Sequence, residues 1–262
     1  MKSKHIYKSI ACGVLLALTA TSCDLDYNPV DSYSDVTEGV DKTDEKPIFN
    51  SVQDVETLHK KFRDQQEHWY VDKLLIGDAH SDNAYAGTTG AEVVPYETNS
   101  IEGSNSVLKR DWDRFLGDIA EANRIIVGCE QLKALSDSER GKYQSQAKIF
   151  RAMVMFDMVR LWGNFPVITT VGGDITEDNV EEMYPTYFPP QNTAEEAYAQ
   201  IEKDLTEAVE NPNTPTNDAS DKSILTKSVA RAMLAKVYAE KPLRDYAKVI
   251  KYADELAADG FD

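Results

Sequence analysis

A-K-I-F-R-A-M-V-M-F-D-M-V-R-L-W-G-N-F-P-V-I, running from Ala147 to Ile168, decides the fold class of this chain. Phe150, Val154, Met158 and Leu161 recur at helical spacing and fall along one stripe of an α-helix. Ala147, Ala152, Met153, Met155 and Phe156 widen that stripe until little of the circumference is polar, so the helix needs neighbours on several sides. Gly163 and Asn164 tolerate left-handed backbone angles and Pro166 cannot continue a helix, which puts the stop near Trp162. Arg151, Asp157 and Arg160, set in so apolar a segment, are expected to be paired or to snorkel.

The helical pattern extends outward in both directions. Ser136-Asp-Ser-Glu139 is a capping box that opens this helix. Before it, Leu108, Trp112, Phe115, Ile119, Ala122 and Ile126 share one face over residues 106–132, a spacing that makes Trp112 core rather than a ligand platform. Val52, Val55, Leu58 and Phe62 mark a helix over 51–68 that Ser51 and Asp54 begin, and the apolar cluster over 69–77 adds a further turn or two. Beyond the central helix, residues 165–170 read as extended chain and the acidic stretch 174–191 as loop. Thr193-Ala-Glu-Glu196 is another capping box, heading a helix that runs to Val209, and helices over 226–240 and 246–258 follow. Short connections imply antiparallel neighbours, and Arg-Ala-Met recurs at 151–153 and 231–233 on alanine-rich helices. The expectation is an all-α, tetratricopeptide-like helical repeat scaffold with long irregular loops, spanning residues 51–262.

The N-terminus carries a different signal. Lys2, Lys4 and Lys8 precede an apolar run from Ile10 to Leu18 that is too short to span a bilayer, and small residues lead to Cys23. Leu18 to Cys23 has the layout of a bacterial lipoprotein cleavage site, with Ala20 where leucine is usual. Residues 1–22 are therefore expected to be a signal peptide and Cys23 the lipidated first residue of the mature chain. Several acyl chains on one residue give stable anchoring, at about 0.8 kcal/mol per buried methylene. Residues 23–50, with Asp, Ser, Thr and two prolines, read as a tether followed by irregular chain wrapped on the body. Cys129 is then left alone and reads as a small core residue. Removing the signal deletes three lysines and no acid, taking the formal charge from −17 to −20. Such a surface argues against nucleic acid as a partner, because binding there depends on Lys and Arg neutralising phosphates.

Residues 78–105 form the longest stretch of the first half without helical pattern. Asp82, Asn83, Tyr85, Tyr96 and Asn99 lie there among glycines and threonines, joining flat aromatic faces to short hydrogen-bonding side chains. Long loops in compact domains are often functional, and a solvated connector is the competing reading. A calcium loop starting at Asp78 is excluded, since Asn83 and Thr89 stand where glycine and glutamate are required. There is no G-x-S-x-G, H-E-x-x-H or G-x-x-x-x-G-K, and no metal or cofactor is implied.

Four features together resemble the SusD/RagB family of outer-membrane lipoproteins from Bacteroidetes: Cys23 followed by D-L-D-Y-N-P, the Asp82-Asn83 pair, the helix ending W-G-N-F-P at 162–166, and A-R-A-M-L-A-K-V-Y at 230–238. The resemblance implies a surface-exposed lipoprotein of the outer membrane, held by its lipid anchor, that catalyses nothing. It also implies capture of oligosaccharide, or in some members peptide, for a TonB-dependent transporter of the SusC type. Family members continue past the scaffold, so the C-terminal part of the family is expected to be missing after Asp262. Sugars are held by aromatic faces and by Asp and Asn side chains, which makes Asp82, Asn83, Tyr85, Tyr96 and Asn99 the candidate ligand residues. A helical-repeat adaptor that binds only protein, and a glycoside hydrolase using two of the many carboxylates, are the alternatives.

Overall fold

The computed structural model describes residues 47–260, apart from 82, 86–91, 174, 176 and 178. The expected signal peptide, Cys23 and most of the expected tether lie outside the described residues, as does Asp82. The helices are α1 (Val52–Lys73), α2 (Val94–Glu97), α3 (Ser106–Gln131), α4 (Asp137–Trp162), α5 (Val180–Tyr187), α6 (Ala194–Glu210), α7 (Lys227–Ala239) and α8 (Tyr246–Ala258). Among the described residues there is no strand, only an isolated antiparallel bridge between Phe165 and Asn192. The fold is all-α and tetratricopeptide-like: α3, α4, α6, α7 and α8 pack in series, with α1 laid against α3 and α4.

The stretch that decides the fold class lies at the centre of this series. Residues Ala147, Ile149, Phe150, Ala152, Val154, Met155 and Met158 are fully buried because α1, α3 and α6 all cover α4. Phe150 stacks on Phe62 at 4.1 Å between ring centres and on Trp69 at 5.3 Å, which brings α1 onto α4. Trp69 also meets Phe115 of α3 edge-on. Burying rings of this size contributes on the order of 2–3 kcal/mol each. The helix begins at the Ser136–Glu139 capping box, in which Ser136 N donates to Glu139 Oε2 at 2.9 Å and Glu139 N to Ser136 Oγ at 3.2 Å. It ends at Gly163, whose φ of +73° only glycine adopts freely. Leu161 departs from the expected stripe: it is 40% exposed, while Val159 and Trp162 in the same last turn pack inward.

A buried polar cluster ties the series together. Arg151 of α4 forms a two-pronged pair with Asp204 of α6, at 2.8 and 2.6 Å, and donates through Nη1 to Asn123 Oδ1 of α3 at 2.6 Å. Asn123 Nδ2 in turn donates to the carbonyls of Ile168 and Thr170, fixing the extended chain after α4. Asp157 pairs with Lys73 at 2.7 Å and Arg160 with Glu240 at 3.0 Å, so the charges on the central helix have partners. Farther along, Tyr238 of α7 donates to Glu202 of α6, and Lys248 of α8 reaches both.

Two segments differ from the sequence reading, and the irregular chain ahead of α1 follows it. The first helix runs unbroken to Lys73, then widens into a π-helical turn over Leu74–Ala79. Residues 180–187, read as loop, form the short helix α5 in spite of Pro185, with Met183 N donating to the Asn179 carbonyl before it and Phe188 N to the Tyr184 carbonyl after it. Upstream of α1, Ile48 N donates to Gln131 Oε1 at 3.1 Å and the Phe49 ring is buried against Gly128, where a Cβ would run into it. Cys129 is buried one residue on, and burial pushes its thiol up to about 12.

Candidate functional site

The described residues between the π-helical turn and α3 are held in shape by their own short polar side chains. Ser81 Oγ donates to the Asp78 carbonyl at 3.0 Å, Asn83 N to Ser81 Oγ at 3.3 Å, and Ala84 N back to the Asp78 carbonyl at 3.1 Å. This turn leaves Asn83 and Tyr85 on the surface, with Tyr85 77% exposed. An exposed tyrosine ring at the tip of a hydrogen-bonded turn can offer a face to a flat apolar surface without costly ordering.

The returning limb is equally fixed. Pro95 starts the single turn of α2, Ser100 N donates to the Pro95 carbonyl at 2.9 Å, and Asn99 sits at φ +52°, a position asparagine tolerates better than most residues. Asn99 Oδ1 lies 2.9 Å from His80 Nε2, which joins the two limbs. At the base, Asn105 caps α3 by accepting from Val107 N and Leu108 N, and its Nδ2 donates to the Glu92 carbonyl at 2.8 Å. Glu92 Oε2 accepts from Ser106 N at 3.0 Å, a favourable place for negative charge beside a helix N-terminus.

Of the five residues singled out from sequence, Asn83, Tyr85 and Asn99 are exposed on the two limbs that His80 joins, and Asp82 lies outside the described residues. Tyr96 is a correction. It is 1% exposed, since the turn of α2 directs it inward, where the His80 ring meets it edge-on at 6.4 Å. A ring without an exposed face cannot stack on a sugar. Its role is to seat the returning limb.

Trp112 and Trp162 pack edge-on at 5.3 Å and are partly buried, as core residues. Sequence reasoning passed over a second set of exposed aromatics. Tyr184 and Phe188, 57% and 65% exposed, stack on each other at 4.8 Å at the end of α5, and Tyr187 Oη donates to the Gly173 carbonyl at 2.7 Å. The crowding of aromatics in Y-P-T-Y-F at 184–188 was the available signal. Among the described residues no three His, Cys, Asp or Glu side chains converge as a metal site, and no helix is long and apolar enough to cross a membrane.

Comparison with known proteins matches residues 30–239 to a SusD-like family model described as starch-binding and associating with the outer membrane. A SusD-like protein of Bacteroides ovatus is 26% identical over 242 residues, covering 91% of this chain and 39% of that protein. A solved structure of a laminarin-binding SusD-like protein superposes with a TM-score of 0.66 at 19% identity, over 79% of this chain and 44% of the other. A structure containing a xylogluco-oligosaccharide superposes with a TM-score of 0.61 at 22% identity, over 79% of this chain and 41% of the other. The chain thus spans about two fifths of the length of these proteins.

Proposed function

Because this chain belongs to the SusD/RagB family, we propose that it captures oligosaccharide at the cell surface and delivers it to a TonB-dependent transporter of the SusC type. It is held to the outer membrane through lipid on Cys23, it acts on its ligand by binding alone, and the ligand contacts come from the loops over the scaffold.

The observation that carries the reading is the Tyr85 turn. An exposed ring flanked by the amide of Asn83, with Asn99 tied to the same base through His80, supplies the two things a pyranose needs: an apolar face to cover its axial hydrogens and planar groups to bond its hydroxyls. Asp82, the neighbour of Asn83 in sequence, is proposed as a further acceptor. Tyr85→Ala is expected to weaken binding of laminarin or xyloglucan oligosaccharides at least tenfold in isothermal titration, about 1.4 kcal/mol. Unchanged affinity removes Tyr85 from the site. Failure of the wild-type protein to bind any member of a glycan array removes the function.

A second reading, a helical-repeat adaptor for protein or peptide, is favoured by the exposed Tyr184–Phe188 pair on α5, since aromatic residues are enriched at protein interfaces. The same array separates the two, because an adaptor binds no sugar.

A further inference from the structure

A groove of about 760 Å³ runs between α1, the first turns of α4 and the loop from Asn213 to Ile224, and it shares no residue with the Tyr85 loop. That volume falls in the range of small-molecule sites. Two rings line the groove: His59 meets Tyr143 edge-on at 5.4 Å and is backed by the buried Phe62 at 5.5 Å, and Tyr143 Oη donates to Glu56 Oε1 at 3.4 Å.

The far wall is built into the scaffold. Gly141 lets the loop approach α4 so closely that a Cβ there would lie 2.8 Å from Asn213 Nδ2. Asn211 Nδ2 donates to the Gly141 carbonyl at 3.0 Å, Lys227 N to the Pro215 carbonyl at 2.8 Å, and Thr226 Oγ1 to Asn217 Oδ1 at 2.9 Å. The groove therefore stands open before any ligand arrives, which lowers the ordering cost of binding.

Its lining selects the chemistry. Lys60 and Lys142 face Glu56, Asp218 and Asp221 around the same space, so neither a polyanion nor a polycation is favoured. Burial holds the His59 imidazole neutral, with its pKa lowered to about 4. Planar amides and carboxylates alternate with the apolar surfaces of Pro215, Ala219 and Ile224, a combination that suits rings carrying both hydroxyls and C–H faces.

We propose that this groove is a second binding site for a neutral oligosaccharide, separate from the Tyr85 loop. The proposal rests on the glycan-capture reading, and the test distinguishes the two. Thr216→Trp, at an exposed position of the rim, fills the groove without touching the core, and Ala219→Trp does so from a neighbouring position. The full chain and each variant are titrated with a laminarin hexasaccharide and a xyloglucan heptasaccharide, and the imidazole resonances of His59 are followed by NMR.

Two sugars per wild-type chain are expected, with a His59 shift on binding. Tyr85→Ala should keep that shift and one site, whereas each tryptophan variant should lose it and keep the loop site. The groove assignment is overturned if Tyr85→Ala abolishes all binding and no sugar moves His59. It is overturned equally if only a peptide pool moves His59. If the wild type binds no sugar at all, the capture reading fails and the groove assignment falls with it.

Discussion

Asp118 lies on α3 with its Oδ2 2.8 Å from Trp69 Nε1, and burial pushes its pKa up to about 7, with the neighbouring Glu121 adding to the rise. A carboxyl whose folded pKa lies above its unfolded value of about 4 contributes stability that is complete below pH 4 and lost as pH rises through 7. His59 acts in the opposite sense. Burial, then the Lys142 ammonium, lowers its pKa to about 4, so its contribution is present above pH 6.5 and lost as pH falls toward 4. The two slopes oppose each other across one window and partly cancel. Asp118→Asn, which keeps an acceptor for Trp69, is expected to rise in stability from pH 4.5 to 7, and His59→Gln to fall, each by on the order of 2–4 kcal/mol relative to wild type. Urea midpoints at the two pH values check this. Variant-minus-wild-type differences that do not change with pH would show that neither group titrates as its surroundings imply.

At the scale of the element, two glycines on neighbouring helices separate backbone conformation from packing. A Cβ on Gly117 or on Gly163 meets nothing within 4 Å. Gly117 is inside α3, whereas Gly163 ends α4 at φ +73°. Gly117→Ala should therefore stabilise by about 1 kcal/mol through helix propensity, while Gly163→Ala should destabilise by about 1–2 kcal/mol through strain. Equal effects on the melting midpoint would contradict this account. The end at Gly163 was legible in sequence because glycine, asparagine and proline act locally there. The capping boxes at Ser136 and Thr193 were legible for the same reason, each needing only residues three apart. The π-helical turn was not, since its tertiary contacts are with the turn of α2 across the loop, and α5 was hidden by Pro185 and its acidic surroundings. In the loop, residue type revealed an exposed Tyr85 and two asparagines of suitable chemistry. Which of two tyrosines faces outward was set by the single turn of α2, whose V-P-Y-E start offered only the proline at its first turn as a signal. The groove at His59 was invisible because its walls come from three segments, 56–60, 142–146 and 213–224, that are far apart in the chain.

For the whole molecule, the series of helices makes position in the stack decide what a repeated motif costs to break. Arg151-Ala-Met and Arg231-Ala-Met are the same three residues, and both arginines pair with acids on the next helix: Arg151 with Asp204, Arg231 with Glu255 and Asp259. Their surroundings differ. α4 is covered by α1, α3 and α6, leaving the Arg151 and Asp204 side chains 5% and 1% exposed, whereas α8 packs chiefly on α7, touches α6 through Lys248, and its Glu255 reaches solvent. Arg151→Met strands Asp204 with Gln200 as its remaining side-chain donor at 2.9 Å and leaves Asn123 Oδ1 without the Arg151 donor. The expected cost is about 3–5 kcal/mol. Arg231→Met, at a partly solvated pair, should cost no more than about 1 kcal/mol. Replacing Asp204 by leucine in the Arg151→Met background should recover much of the loss, because an apolar pair of similar volume needs no buried charge. Urea unfolding of the three variants tests the argument. Equal losses for the two arginines, or no recovery in the double variant, would show that the buried cluster does not hold the stack together as its geometry indicates.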